Sequence, residues 1–349
     1  MFYNSLLNLA EMKKVNLKDV AQHVGVSTAL VSYVLNGQAV EKQVNKETAE
    51  RIVIAAKELN YLPNQIAKSL KMRKTHTIGL VVADINYRFS TGITRAIESE
   101  AKKKNYTVIY GSSNENEEKF AELIDVFVNR RVDGLILVPV ENSQDQIRKL
   151  QKTDVPFVLV DRIFPEMETN CIALDNHKAS YTSTSYLIAR GHKKIAMVNY
   201  KTTLFHLLER NRGYRDALNE QGIKEEWLYE INTESRSGDM EKALSDIISQ
   251  QDSFDAIFFA TDTLALDGLK LLNNKEIKVP EGISVFSFDE SEAFELFYTP
   301  ITHSKQPLEE MGKLAFNTLI ELINQNKVNK LICLQADLIV GQSCREILV

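Results

Sequence analysis

The chain has 349 residues, 44% of them hydrophobic and 26% charged, and a net charge of −5; this is the make-up of a globular protein of two or three folded units, and it excludes disordered or collagen-like character. No apolar run approaches the roughly 18 to 20 residues needed to cross a bilayer, and Met1 to Met12 lacks the basic start and the apolar length of a secretory signal, so a cytoplasmic protein with no membrane partner is expected. Charge divides unevenly: residues 12–74 carry a net +6 and residues 75–349 a net −10, as expected when a basic head alone meets a polyanion.

Residues 1–12 read as a tail or a misassigned start. Asn16 is a good N-cap, and Leu17, Val20, Ala21 and Val24 recur at i, i+3, i+4 and i+7, which predicts a first amphipathic helix stopped by Gly25. After the turn Gly25-Val26-Ser27, Ser27 caps a second helix over Thr28 to Leu35, with Leu30, Val31 and Val34 inward and Asn36-Gly37 as its end. Asn45 caps a third, whose buried stripe is Ile52, Ala55, Ala56 and Leu59. Two short helices joined by a tight Gly-containing turn let the second enter the major groove of DNA. A plain helical bundle has the same spacing; the net positive charge of the head favours DNA, because neutralising phosphates supplies most non-specific affinity. Pro63 then sits where a further helix can begin. Its eight residues to Leu70 are marginal for an isolated helix in water.

From Thr77 the chain alternates short apolar runs with amphipathic helical stretches. Thr77 to Val82, Thr107 to Tyr110, Gly134 to Val138 and Pro156 to Val160 read as parallel strands, and the pattern resumes after Asp175 with Ile195 to Val198, Ala256 to Phe259 and Ser284 to Phe288. Two such series predict two doubly wound α/β subdomains. Ligands in these sheets sit at the carboxyl ends of strands, here in a cleft between the halves. The strand-end polar groups are Asp84, Asp161-Arg162, Asp175-Asn176, Asp262 and Asp289, a set that suits a hydrolase or a sugar-binding cleft. The sequence contains no G-x-G-x-x-G, no Walker A and no G-x-S-x-G elbow, so hydride, phosphoryl and serine-hydrolase chemistry are unsupported and no catalytic residue is assigned. The six His show no metal spacing, and no metal or cofactor is expected. Cys171, Cys333 and Cys344 fit neither a zinc site nor a disulfide framework, and are expected to be buried free thiols.

Val15-Asn16-Leu17-Lys18-Asp19-Val20-Ala21, Gly25-Val26-Ser27 and Val31-Ser32-Tyr33-Val34-Leu35-Asn36-Gly37 together resemble the head of the lactose repressor and galactose repressor family of bacterial transcription regulators. The resemblance implies that Thr28, Ala29 and Tyr33 read base edges, while Ser27 and Ser32 hold the helix on phosphates. Asn60 to Lys71 resembles that family's hinge, which implies a helix in the minor groove with Leu70 wedged into a base step and Lys68 and Lys71 beside phosphates. Asn36, Asn64 and Ala67 complete the implied DNA-contacting set. An ordinary linker, with Leu70 packed on the body, is the rival. Tyr33 stands where many relatives have Arg, the residue suited to bidentate contact with guanine, so a different half-site is expected.

The body resembles the same family and the periplasmic sugar-binding proteins, through Ile78 to Val82, Arg131 to Ile136, Leu159 to Arg162, Arg190 to Ala196, Ser284 to Asp289, Gln306-Pro307 and Met311-Gly312. The implied fold is a helix-turn-helix head plus a periplasmic-binding-protein-like α/β body. Expected boundaries are 13–60 for the head, 61–74 for the hinge and 75–349 for the body. Within the body, one subdomain covers about 75–173 and 303–331, the other 175–300 and 333–349. The resemblance places effector contacts on Phe89, Ser90, Asp161, Arg210, Thr261, Asp262 and Asp289, with Asp289 and Arg210 as polar anchors and Phe89 as an apolar platform. Arg88, Thr261 and Glu290 depart from the residues usual there. A helix N-cap is the rival role for Asp289 and a turn residue that for Asp161. The implied function is an effector-switched regulator, a repressor, binding a near-palindromic double-stranded operator as a homodimer on the nucleoid. A sugar is the expected effector, ahead of a purine or nucleoside.

Overall fold

The computed structural model describes residues 15–61, 74–249, 254–328 and 331–347. The expected tail and the hinge residues Asn64, Ala67, Lys68, Leu70 and Lys71 lie outside them.

The head contains α1 (Leu17–Val24), α2 (Thr28–Leu35) and α3 (Lys46–Glu58). Each begins at a side-chain cap that the sequence supplies. Asn16 Oδ1 accepts from the amides of Lys18 and Asp19, and Asp19 returns a carboxylate to the Asn16 amide at 2.8 Å, a reciprocal capping box. Ser27 Oγ accepts from the Leu30 amide at 3.2 Å, and Asn45 Oδ1 from that of Glu47 at 2.8 Å. Gly25 ends α1 at φ +76°, a left-handed turn that a side chain would oppose. Val20, Ala21, Val24, Val31, Val34, Ile52, Ala55 and Ala56 close the core, with Leu30 and Leu59 half-buried against it. Arg51 Nη2 donates to the Val24 carbonyl at 3.0 Å and ties α3 to the end of α1.

The body carries two six-stranded sheets. The first comprises β1 (Thr77–Val82), β2 (Thr107–Ser112), β3 (Gly134–Leu137), β4 (Phe157–Val160), β5 (Cys171–Leu174) and β11 (Leu331–Leu334). Its order is β11-β5-β4-β3-β1-β2, parallel throughout. The second comprises β6 (Ile195–Tyr200), β7 (Trp227–Ile231), β8 (Ala256–Phe259), β9 (Ser284–Phe288), β10 (Thr302–Lys305) and β12 (Asp337–Ile339). Its order is β12-β10-β9-β8-β6-β7, with β12 alone antiparallel. The helices in chain order are α4 (Arg88–Lys103), α5 (Glu117–Asn129), α6 (Gln144–Leu150), α7 (Asn176–Ala189), α8 (Phe205–Glu220), α9 (Arg236–Ser249), α10 (Asp262–Asn274), α11 (Ala293–Leu296) and α12 (Leu308–Ile323).

Burial on both faces explains the unbroken apolar runs of the central strands. Ile195 and Met197 of β6 join one core cluster and Ala196 and Val198 the other, on opposite faces. Parallel strands need helical crossovers, and α7 and α8 pack so closely that a Cβ on Gly213 would lie 2.1 Å from the His177 carbonyl oxygen.

After β5 the chain leaves the first sheet, returns as α12 and β11, and ends in the second sheet as β12. The later crossings fall between Lys305 and Leu308 and between Leu334 and Asp337, a few residues beyond the positions expected from sequence. The reason is pairing: Thr302 to Ser304 align with Phe286 to Phe288 of β9, and Cys333 and Leu334 with Ala173 and Leu174 of β5. Cys171 and Cys344 are buried free thiols, whereas Cys333 is exposed. The expectation of a buried thiol fails there because β11 is an edge strand.

Candidate functional site

On the head, Ser27, Thr28, Ala29 and Asn36 are exposed, and Ser32 and Tyr33 are half-buried. All belong to α2 or its caps, since Val31 and Val34 turn inward and force the intervening positions outward at 100° per residue. Ser27 caps the helix with its oxygen, and its hydroxyl proton stays available to an outside acceptor. Asn36 Nδ2 donates to the Ser32 carbonyl at 2.8 Å and to Ser32 Oγ at 3.2 Å, which fixes both side chains on the last turn. Lys42 Nζ stands 5.9 Å from the Tyr33 ring centre, within cation–π range. The face therefore presents small hydroxyl side chains, one aromatic ring and a nearby ammonium.

In the body, a cleft of about 540 Å³ opens between the carboxyl ends of the two sheets, a size suited to a small molecule. Residues following β1 to β4 line one side and residues following β6 to β10 the other. All seven expected effector residues line it: Phe89, Ser90, Asp161, Arg210, Thr261, Asp262 and Asp289. Parallel topology causes this convergence, because within each sheet the strands β1 to β4 and β6 to β10 that supply these residues point their carboxyl ends the same way.

Arg210, on α8, is 2% exposed. Its Nε donates to Asn176 Oδ1 at 2.9 Å, and Nη1 donates to the Ala260 carbonyl at 2.6 Å and to Asp289 Oδ2 at 3.3 Å. The central carbon of the guanidinium lies over Phe288, 3.6 Å from the ring centre. Gln306 Nε2 donates to the other oxygen of Asp289 at 2.6 Å, so Asp289 is bound from two sides and caps no helix. Asp161 and Asp289 occupy matching positions, each immediately after a strand, with φ of +68° and +67°. The left-handed region costs a non-glycine residue about 1 to 2 kcal/mol, a strain typical of ligand-holding turns.

Asp161 is buried, which pushes its pKa up to about 6 against the opposing pull of Arg162 and Arg210. Asp262 is also raised, by burial and then by the charge of Asp289. Arg162 reaches across to Glu115 with two hydrogen bonds of 2.7 and 2.6 Å. Thr261 spends its oxygen as the N-cap of α10, accepting from the Leu264 amide at 3.2 Å. Phe89 is half-buried against the first core and keeps one side toward the cleft.

Sequence reading passed over His206, which lines the cleft from α8. Burial first, then Arg162 and Arg210, hold its pKa well below the usual value, so the imidazole is neutral. It was passed over because an isolated His carries no spacing signal; only its place one turn before Arg210 could have pointed to it. Two side chains, Arg88 and Glu141, also join the sides of the cleft. Arg88 meets Glu290 at 3.2 Å and Glu292 at 3.1 Å, and Glu141 accepts from Thr202 and Thr203.

Among the described residues, twelve buried side-chain polar atoms have no hydrogen-bond partner, and six line this cleft: Arg88 Nε, Ser90 Oγ, Asp161 Oδ1, Arg162 Nε, His206 Nδ1 and Gln306 Oε1. Buried polar groups are almost always paired in folded proteins, so this concentration points to an outside molecule that completes them. No group of three His, Cys, Asp or Glu suited to a metal ion occurs among the described residues, and no described helix is long and apolar enough to cross a membrane.

A helix-turn-helix head followed by a two-sheet body with a polar cleft defines a DNA-binding regulator with a ligand-binding domain. Residues 16–64 match the family described as bacterial regulatory proteins, lacI family, and residues 75–338 match periplasmic binding proteins and sugar binding domain of LacI family. The chain belongs to the LacI family of transcription regulators, which are not enzymes. It is 34% identical to the HTH-type transcriptional repressor PurR of Vibrio atlanticus, over 90% of this chain and 93% of that protein. The lac repressor dimer bound to operator and the anti-inducer ONPF shares the fold at a TM-score of 0.84 and 24% identity, over 95% of this chain and 100% of that one. The transcriptional regulator CelR in complex with cellobiose is 27% identical at a TM-score of 0.69, over 94% and 99%.

Proposed function

We propose that this protein is a repressor that binds a near-palindromic double-stranded operator as a homodimer, and that a small carbohydrate in the body's cleft changes its affinity for that operator. It works in the cytoplasm, associated with the nucleoid. Thr28, Ala29 and Tyr33 contact bases from α2, while Ser27, Ser32 and Asn36 set the helix on the backbone. Tyr offers one hydroxyl and a stacking face where a bidentate guanidinium would select guanine, so the operator differs from those read through Arg.

The observation that carries the effector half is the gathering of unpartnered buried polar atoms on one cleft. Sugars suit such a lining because each hydroxyl both donates and accepts. Arg210 and Asp289 act as the polar anchors, Phe89 as an apolar face for the ring, and Ser90, Asp161, Thr261 and Asp262 as further contacts. The complex of CelR with cellobiose supports a carbohydrate ahead of a purine.

Cleft closure changes how the two copies of the first subdomain face each other, and with them the two heads. Coupling is reciprocal, so an inducer binds the DNA-free arrangement more tightly and a corepressor the DNA-bound one. Operator affinity measured by fluorescence anisotropy, with and without a panel of mono- and oligosaccharides, purines and nucleosides, is the test. A uniform affinity across the whole panel would refute the switch.

A further inference from the structure

The cleft's unpartnered buried atoms include two obligate donors, Arg88 Nε and Arg162 Nε, and two obligate acceptors, but its charge is unequally supplied. Gln306 uses Nε2 on Asp289, which leaves its Oε1 buried and unpartnered. Asp161 is 6% exposed; its Oδ2 is 4.0 Å from Arg162 Nε, and its Oδ1 has no partner. Arg162 Nε lies at ion-pair distance from Asp161 without a hydrogen bond, and the terminal nitrogens of the nearby guanidiniums are engaged with other groups. Both terminal nitrogens of Arg162 go to Glu115, Arg210 is held by Asn176, Ala260 and Asp289, and Arg88 by Glu290 and Glu292. His206 is neutral and adds no charge. Across the whole lining, seven carboxylates face four Lys and Arg side chains.

We propose that the effector is a polyhydroxy compound carrying a protonated amine, of the amino-sugar class, whose ammonium donates to Asp161, and that the cleft excludes sugar phosphates. This rests on the reading of the cleft as the effector site and specifies what the effector carries. An ammonium brings three donors and no acceptor, so it matches an unpartnered carboxylate oxygen without adding a new orphan. It also brings positive charge into a surplus of negative charge, where burial strengthens the attraction above its value in water. A phosphate would add about two negative charges beside Asp161, Asp262 and Asp289. To receive it on their terminal nitrogens, Arg88 and Arg162 would first have to leave their carboxylates.

Calorimetric titration of the full-length protein at pH 7.5 with matched pairs tests the proposal: glucose and glucosamine, galactose and galactosamine, mannose and mannosamine, each hexose also as its 6-phosphate. At least one amine should bind ten-fold or more tightly than its neutral partner, and the 6-phosphates should not bind. Asp161→Asn should reduce that preference to about three-fold or less. Asp262→Asn provides a second reading of the same charge surplus and should weaken the amine more than the neutral sugar. A neutral sugar or a phosphate that binds as well as the amine, or a preference unchanged in Asp161→Asn, overturns the proposal. If no member of the panel binds, the amine assignment fails, whereas release of operator by another metabolite in the anisotropy assay would leave the switch itself standing.

Discussion

Replacing Asp161 by Asn should make the body more stable, and by an amount that depends on pH. In the unfolded chain this carboxyl loses its proton near pH 3.8 and in the folded chain near 6, because it is buried. Between those values the folded protein keeps a proton that the unfolded chain gives up. The penalty for holding a buried carboxylate is therefore absent below about pH 4, grows as the pH rises toward 6, and is complete above about 7. A difference of roughly two units corresponds to about 3 kcal/mol at most at pH 7.5, and to about half of that at pH 5. Asparagine has no charge to desolvate, so Asp161→Asn should unfold at higher urea than the parent at pH 7.5, with a smaller gain at pH 5. The single tryptophan is Trp227 on β7, so its fluorescence follows the body through the urea transition. An equal gain at both pH values would refute the argument, as would a loss of stability at pH 7.5. On the proposed role of Asp161 as an effector contact, the same substitution should also weaken effector binding, which would account for keeping a destabilising group.

Tyr33→Ala should relax operator selection at one base-pair position and leave the others unchanged, as read by sequencing operators selected from a randomised pool; unaltered selection would remove Tyr33 from the reading face. Gly213→Ala should destabilise the second subdomain by about 2 kcal/mol or more, because the new Cβ meets backbone atoms of α7 that cannot turn aside; thermal unfolding checks this. Arg88→Ala opens the ion pairs that join the two sides of the cleft. Those pairs are partly exposed and should add under about 1 kcal/mol to stability, yet their loss should speed effector dissociation a few-fold in stopped-flow measurements.

The local signals in the sequence were strong where the chemistry is local. Caps at Asn16, Ser27 and Asn45 and the stop at Gly25 specify the three head helices, because capping depends on residues within one turn. The unbroken apolar runs that became β1, β3, β4, β6, β8 and β9 were legible because burial on both faces demands them. Strands β5, β7, β10, β11 and β12 were not singled out. β7, β11 and β12 lie at edges and are only partly buried, and β10 is a polar run, so these depend on a neighbour's free backbone; β5 is a buried apolar run like β3 and β4 and was simply passed over.

For the effector site, sequence reading placed Asp161, Asp262 and Asp289 at strand ends, and the resemblance added Arg210, which lies on α8; neither could say what each one meets. That Arg210 lies over Phe288 and binds Asp289, that Asp161 keeps an unpartnered oxygen, and that His206 joins the cleft are relations between segments tens of residues apart. Sequence alone determined the head, the division of charge and the α/β character of the body, all set by neighbours along the chain. Only the tertiary structure decided which polar atoms of the cleft are left without a hydrogen-bond partner, because pairing and burial are properties of distance in space.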